Sequence, residues 1–403
     1  MDFQLTEEQK MLKTNARDFL EKEIVPVADE YDRKGPLNRE EAVGFIKQLM
    51  PFGYLTGMLP EGLGGAGLDN KSDGILIEEL SRAWAGLAGV VISGRGGLIA
   101  LFTGTEESRR RIKERVTAGE YIGCLGITEP DAGSDTASME TTAVREGDTY
   151  VINGTKTWIS SGTIADVVLL FATTDKSKGR LGISPIIVEK EASPFTARQL
   201  HKLGLQAWPT AELSFVDCRV PKENVLGGNP GGMNMGSKET ASGGNPTQAF
   251  AAGLGGVLDS TRCLMALMAV GIAQAAVDAA ISYARERKQF GRPIGSFQMI
   301  QEMIVDMIAE TEATRLLTYR ALDLLDKGVR ARMEASLAKA YGGEMGVRVT
   351  SKAIQIHGAM GLSDEYPVER YFRDARMLTI LDGTTQINRL VVGRESIGIR
   401  AFA

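Results

Sequence analysis

The chain has 403 residues, 43% hydrophobic and 24% charged, with a net charge of −5. That length predicts two to three domains, and the composition is that of an ordinary globular protein with a large core. The acidic balance gives no reason to expect nucleic acid or an anionic membrane as partner. Cys124, Cys218 and Cys263 form neither a C-x-x-C pair nor a disulfide framework, so a reducing cytoplasm is the expected location. The two histidines, His201 and His357, are far apart in sequence. Both are read as structural, and no metal site is expected.

In chain order, Thr6 and Gln9 have capping-box spacing and open a helix. No charged-then-apolar signal pattern precedes it, and no apolar run is expected to reach transmembrane length. Leu12, Ala16, Phe19, Leu20 and Ile24 continue at helical spacing, and Pro26 is expected to end that regularity. Residues 62–67 are too glycine-rich for a helix interior. A second helix is predicted from Ser72 to about Phe102, crossing Trp84 and the segment Ser93-Gly94-Arg95-Gly96-Gly97. From about residue 121 the pattern becomes β. Asn153-Gly154, flanked by 150–152 and 155–159, predicts a hairpin, and further strands are expected at 167–171, 183–188 and 213–216.

Residues 228–247 are rich in glycine, asparagine and serine, and read as an insertion loop. Helices near 258–287, 297–326, 330–356 and 384–399 suffice for an antiparallel bundle. The stripe Met299, Ile300, Met303, Ile304, Met307 and Ile308 reads as packed helix core. The expected organisation is α+β and multidomain: a helical domain at 1–120, a β-domain at 121–227, the insertion at 228–247, and a C-terminal helical bundle at 248–403.

Four segments carry chemistry. Thr128-Glu129-Pro130-Asp131-Ala132-Gly133-Ser134-Asp135 combines glycine with small hydroxyl residues, which lets backbone amides approach a phosphate or flavin closely. Gly154 to Gly162 reads G-T-K-T-W-I-S-S-G. Tyr283 to Ile294 places Arg287 near a helix end with Gly291 four residues on, which suits a pyrophosphate. Finally, Ile380-Leu381-Asp382-Gly383-Thr384-Thr385-Gln386-Ile387 sets a carboxylate in a turn.

These segments, in this order, resemble acyl-CoA dehydrogenases, whose motifs run T-E-P-x-A-G-S-D, G-x-K-x-W-I-T-N-G, Y-x-x-x-R-x-x-F-G-x-P-I…F-Q and I-Y-E-G-T-x-x-I. Gln355 to Gly361, Glu365 to Arg370 and Arg373-Asp374-Ala375-Arg376 resemble a fifth stretch of the family, Q-x-x-G-G-x-G…E-x-P-x-E-R…R-D-A-R. Ala359 replaces one of its glycines. With the N-terminal segment, the resemblance covers essentially the whole chain.

The resemblance implies an N-terminal helical domain, a middle β-domain and a C-terminal four-helix bundle. The implied cofactor is FAD, held through Thr128, Gly133, Ser134, Trp158, Ser160, Arg287, Phe290, Gln298, Gln355, Gly358, Thr384 and Gln386. Arg287 and Gln298 would serve the flavin of a neighbouring subunit in a homotetramer, a dimer of dimers. Asp382, one methylene shorter than the family's glutamate, would take the α-proton of an acyl-CoA thioester. The β-hydrogen would leave as hydride to flavin N5, and electrons would pass to an electron-transferring flavoprotein. An apolar site would raise the Asp382 pKa. Some relatives carry the base as the glutamate of L-D-x-E-R, where this chain has Thr261.

Substrate contacts are expected from Ser134, Arg95, Leu381, Asp259, Arg262 and Gly383. Leu381 replaces the family's tyrosine, and Gly94, Gly96 and Gly97 would bare a helix lining the acyl pocket, so a branched, cyclic or carboxylated acyl group is expected. Arg95 either faces solvent or clamps a substrate carboxylate. The alternatives are an enoyl-CoA reductase, an unusual elimination on a cyclic acyl-CoA, an oxidase like nitroalkane oxidase, or a flavin-bearing binding protein.

Overall fold

A computed structural model describes residues 4–98, 106–226, 246–399 and 401. Helix α1 (Glu7–Phe19) opens from the reciprocal cap, with Gln9 N donating to Thr6 Oγ1 and Thr6 N to Gln9 Oε1, both at 3.2 Å. Pro26 does not end the helical run. A single π-turn at Leu20–Ile24 leads into α2 (Val25–Lys34), with Pro26 in the first turn of that segment. Helices α3 (Arg39–Leu49), α4 (Asn70–Gly94) and α5 (Glu106–Thr117) complete the N-terminal part. Asp69 caps α4, which is interrupted at the fully buried Trp84.

The middle part is one seven-stranded sheet: β1 (Gly123–Gly126), β2 (Thr142–Glu146), β3 (Thr149–Ser160), β4 (Val167–Thr173), β5 (Ile183–Glu189), β6 (Thr196–Gln199) and β7 (Thr210–Pro221). The order is β1-β4-β2-β3-β7-β6, with β5 also paired to β4. Ile152, Val168, Leu170, Leu213 and Phe215 fill one face.

The expected hairpin at Asn153-Gly154 is not a hairpin. β3 runs through it, and the register against β7 slips between Ile152 and Gly154. Asn153 and Asp217 close this bulge, with Asp217 N donating to Asn153 Oδ1 at 2.9 Å. A Cβ on Gly154 would stand 2.5 Å from Thr141 Oγ1, so glycine is required by a bulge rather than a turn.

The C-terminal part is built on α6 (Pro246–Glu286), α7 (Gln298–Asp326), α8 (Arg332–His357), α9 (Val368–Met377) and α10 (Thr385–Ile397). Leu258–Glu286 is long and apolar enough to cross a membrane, with an 18-residue window of mean hydropathy 1.9, contrary to the expectation that no stretch would be. Its apolar window is 78% buried within the protein, the mark of a helix hydrophobic all round at the centre of a bundle. The methionine stripe on α7 divides: Met307 is buried and Met303 packs on the core, whereas Met299 and Ile308 are exposed. Residues 228–245 of the expected insertion lie outside the described residues, and α6 already begins at Pro246.

Candidate active site

Asp382 occupies the turn between α9 and α10. It and Gly383 both take left-handed backbone angles, φ 52° and 89°, which aspartate tolerates better than most residues. The turn is held from several sides. Thr384 caps α10 by accepting from Ile387 N at 3.2 Å, and Thr385 N donates to Thr379 O at 2.9 Å. The buried Asn388 donates from Nδ2 to Gly383 O at 2.9 Å, and Lys339 Nζ on α8 donates to the same carbonyl. A Cβ on Gly343 would lie 3.0 Å from Leu378 O, so α8 meets this segment with bare backbone one turn beyond Lys339.

Burial pushes the Asp382 carboxyl above the usual carboxylate range, while a hydrogen bond with the Thr261 side chain and the charges of Lys339 and Arg262 act against that. The residue as a whole is nonetheless exposed in the single chain, so the enclosure that raises the carboxyl is incomplete there. Thr261, which stands where some relatives place the glutamate, therefore adjoins the Asp382 carboxyl. The two sequence positions converge on one point in space. Leu381 is half-buried against the helical core. Arg262 hydrogen-bonds Asp259 and Ser336, each at 3.3 Å, and its Nε is buried without a partner. Burial raises the Asp259 carboxyl and lowers the Arg262 guanidinium.

The two middle-domain motifs abut. Thr157 N donates to Thr128 O at 2.8 Å. Beneath them lies an ion pair that single-motif reading missed: Lys156, fully buried, donates to Glu129 Oε1 at 2.6 Å and to Ile127 O at 3.0 Å. Glu129 also accepts from the backbone of Glu140 at 2.5 Å and Thr141 at 3.0 Å. The pair clips the Glu129 turn onto β3. Above it Trp158 has φ 59° and is 54% exposed, a large apolar surface left open beside Ser160. Gly133 and Ser134 are exposed, and nothing lies within 4 Å of where a Gly133 Cβ would be. An uncovered indole, two hydroxyls and a bare glycine fit a planar ring system with a phosphate tail, as FAD requires.

The remaining cofactor candidates gather at the far end of the bundle. Two short strands, β8 (Lys288–Gln289) and β9 (Arg292–Pro293), form a two-residue hairpin whose tip is Phe290-Gly291, φ 52° and 78°. Positive φ at both tip residues is the type I′ geometry, and it leaves Phe290 92% exposed. Arg287 and Gln298 flank this hairpin, and both are exposed. Gln355 and Gly358 join them because His357, next to Gly358, stacks on Tyr283 at 4.3 Å. Lys339 beside Asp382 and Gln355 share α8, about 24 Å apart along its axis. Within one chain these residues therefore do not meet Asp382. Thr384 and the exposed Gln386 lie at the start of α10, next to it.

Arg95 neither faces solvent nor offers a free fork. Its Nη1 and Nη2 donate to the two oxygens of Asp73 at 2.7 and 2.6 Å, and Nη2 donates to Tyr54 O at 2.8 Å. The nearby glycines also serve a purpose other than opening a pocket. A Cβ on Gly97 would stand 2.7 Å from Tyr121 O, and one on Gly123 would stand 1.9 Å from Gly97 N. Gly96 and Gly97 are bare because the chain presses backbone to backbone against β1. Gly94 makes only ordinary contact with Leu55.

Comparison with known proteins gives the same picture. The family models for the N-terminal, middle and C-terminal domains of acyl-CoA dehydrogenases match residues 6–120, 124–218 and 253–397. The chain is 38% identical to a caffeyl-CoA reductase–Etf complex subunit of Acetobacterium woodii, covering 96% of this chain and 97% of that protein. A glutaryl-coenzyme A dehydrogenase solved with glutaryl-CoA superposes with a TM-score of 0.88 at 37% identity, over 99% of this chain and 98% of that one. A Mycobacterium smegmatis glutaryl-CoA dehydrogenase solved with FADH2 gives 0.85 at 27% identity, over 99% and 97%. The chain belongs to the acyl-CoA dehydrogenase family of FAD-dependent oxidoreductases.

Proposed function

We propose that this protein dehydrogenates an uncharged branched or cyclic acyl-CoA, with Asp382 as the base that removes the α-proton. The observation that carries this reading is the setting of Asp382: a left-handed turn pinned by Lys339 and Asn388, next to Thr261, where burial raises the carboxyl toward useful basicity. Bound FAD supplies the acceptor for the β-hydride. Thr128, Gly133, Ser134, Trp158 and Ser160 hold it in this chain. Arg287, Phe290, Gln298, Gln355 and Gly358, displaced along α8, reach the flavin of a second subunit in a homotetramer.

The backbone N–H of Asp382 is the donor that polarises the thioester carbonyl and so acidifies the α-carbon. Gly383 leaves room for the thioester, and Asp259 with Arg262 stands behind it toward the CoA portion. The shorter base and Leu381 leave space for a branch or ring. A carboxylated acyl group loses its anchor, because the Arg95 fork is already filled by Asp73. The electron acceptor is an electron-transferring flavoprotein, supported by the complex that gives the Acetobacterium relative its name. That name also favours a second reading, an enoyl-CoA reductase running the same bonds in reverse. Anaerobic titration with neutral straight, branched and cyclic acyl-CoAs and with glutaryl-CoA, following flavin absorbance, tests the proposal. Bleaching by neutral branched or cyclic thioesters is expected. Bleaching by glutaryl-CoA alone, or only reoxidation of reduced enzyme by enoyl-CoAs, would overturn it.

A further inference from the structure

Lys339 is 1% exposed, deep in α8 among small residues. Among the described residues it makes no direct ion pair, and its hydrogen-bond acceptor is the Gly383 carbonyl. A buried ammonium left without counter-charge is costly. The acids that support its charge are Asp382 first and Glu344 weakly, while Arg262 opposes it. Arg262 is itself committed to Asp259, so it is not a free competitor for the Asp382 carboxylate. Arg394 and Arg332 act on that second pair, at one remove from Asp382. From α6 the other polar group at Asp382 is the uncharged Thr261. The Gly383 carbonyl, two donors deep, belongs to the residue that follows the left-handed Asp382.

We propose that Lys339 is a positioning residue for the reaction: its ammonium pins the Gly383 carbonyl and stands as the counter-charge of the Asp382 carboxylate. This rests on Asp382 being the base. Lys339 reaches the Asp382-Gly383 turn, through the Gly383 carbonyl, because of α8 itself. Gly343, one turn on, brings the helix backbone against Leu378, and a Cβ added on the same stripe at Gly346 would lie 3.4 Å from Ala375 Cβ of α9. Burial brings the Lys339 ammonium down to about 8, so its charge is held in balance with that of its neighbour rather than fixed. Uptake of the substrate α-proton by Asp382 removes the counter-charge, which makes the pair one electrostatic unit.

The holoenzyme of two variants separates the two parts of the proposal. Lys339→Gln keeps a donor toward the Gly383 carbonyl and loses the charge, and Lys339→Met loses both. Anaerobic stopped-flow reduction by an acyl-CoA active with wild type is followed from about pH 6 to 9. Both variants should move the acidic limb to higher pH, by about tenfold or more in apparent acid constant. The plateau rate should fall by roughly tenfold or more in Lys339→Met and by less in Lys339→Gln. A slower rate with an unmoved limb in both means a purely structural lysine and overturns the proposal. If neither variant folds with FAD, the melting temperature of Asp382→Asn decides. Without its counter-charge the buried lysine sheds its proton sooner, so that variant should gain on wild type from about pH 7 to 9, and a flat difference overturns the proposal. Loss of reduction in Asp382→Asn together with an unmoved limb in the lysine variants rejects the role of Lys339 while leaving the base intact.

Discussion

Arg95 and Asp73 form a bidentate pair with both contacts under 2.8 Å, at 2.7 and 2.6 Å, and Asp73 is 2% exposed. The guanidinium joins the end of α4 to its own first turn and to the carbonyl of Tyr54. Removing one partner of such a buried pair leaves the other charge unmatched. Arg95→Met should therefore cost about 3–5 kcal/mol in denaturant unfolding. It should lower kcat/KM on carboxylated and neutral acyl-CoAs of equal length by the same factor. A selective loss of tenfold or more on the carboxylated substrate would mean that Arg95 reaches substrate.

Lys156 and Glu129 sit beneath the surface assigned to the flavin, at 0% and 5% exposure. Burial pushes the lysine down, and Glu129 draws it partly back. Lys156→Met strands the glutamate and frees the turn that carries Thr128, Gly133 and Ser134. The expected result is a lower melting temperature and a flavin-to-protein ratio well below one after gel filtration. Full retention of FAD would show that the turn does not need the clip.

A cluster joins all three parts of the chain: Arg370 and Arg373 of α9 pair with Asp29 and Asp32 of α2, and the backbone N of Leu205 donates to the buried Asp374. Burial and then the adjacent Asp32 push Asp374 well above the carboxylate range, against Arg370, the Leu205 N–H and Arg373. A carboxyl raised in the folded state binds its proton more tightly there than in the unfolded chain. Its contribution is present at low pH and lost as pH climbs through the folded pKa. The contribution of Asp374 should therefore fall as pH climbs from about 4 to 7, by at most about 1.4 kcal/mol per unit, while the lowered His357 acts with the opposite sign below about pH 6.5. Lys202, which burial lowers to about 8, acts with the opposite sign and only above that window. Asp374→Asn keeps an acceptor for Leu205 and should flatten the slope in thermal melts, and an unchanged slope would place the proton elsewhere.

Much of the fold and site was legible in the sequence because the motifs are local. The capping box at Thr6, the long C-terminal helices and the Asp382-Gly383 turn depend on neighbours a few residues away. What was not legible depends on distant partners. Asn153-Gly154 carries a hairpin signature, yet Asp217 and Thr141 turn it into a bulge. Arg95 acquires its meaning from Asp73 and Tyr54, and Gly97 from Tyr121 and Gly123. Lys339 left one faint mark, a lysine among alanines and glycines on a helix, where a solvated lysine would have polar neighbours.

That account of the glycines has its own test. A Cβ on Gly123 would lie 1.9 Å from Gly97 N and 2.1 Å from Gly96 C, both backbone atoms that cannot swing aside. Gly123→Ala should destabilise the protein by roughly 1–3 kcal/mol or more, seen in denaturant melts, whereas Gly133→Ala, with open space around it, should not. Equal melts for the two variants would mean that the approach of β1 to residues 96–97 is looser than described.

The central claim is that Asp382 is the base, and Asp382→Asn tests it most directly. Asparagine keeps the backbone N–H and nearly the same volume and removes the basic oxygen. The variant should bind FAD and CoA thioester as wild type does, while single-turnover flavin reduction by the best acyl-CoA falls by a factor on the order of a hundred or more. Reduction at near wild-type rate in the Asn variant would contradict the assignment.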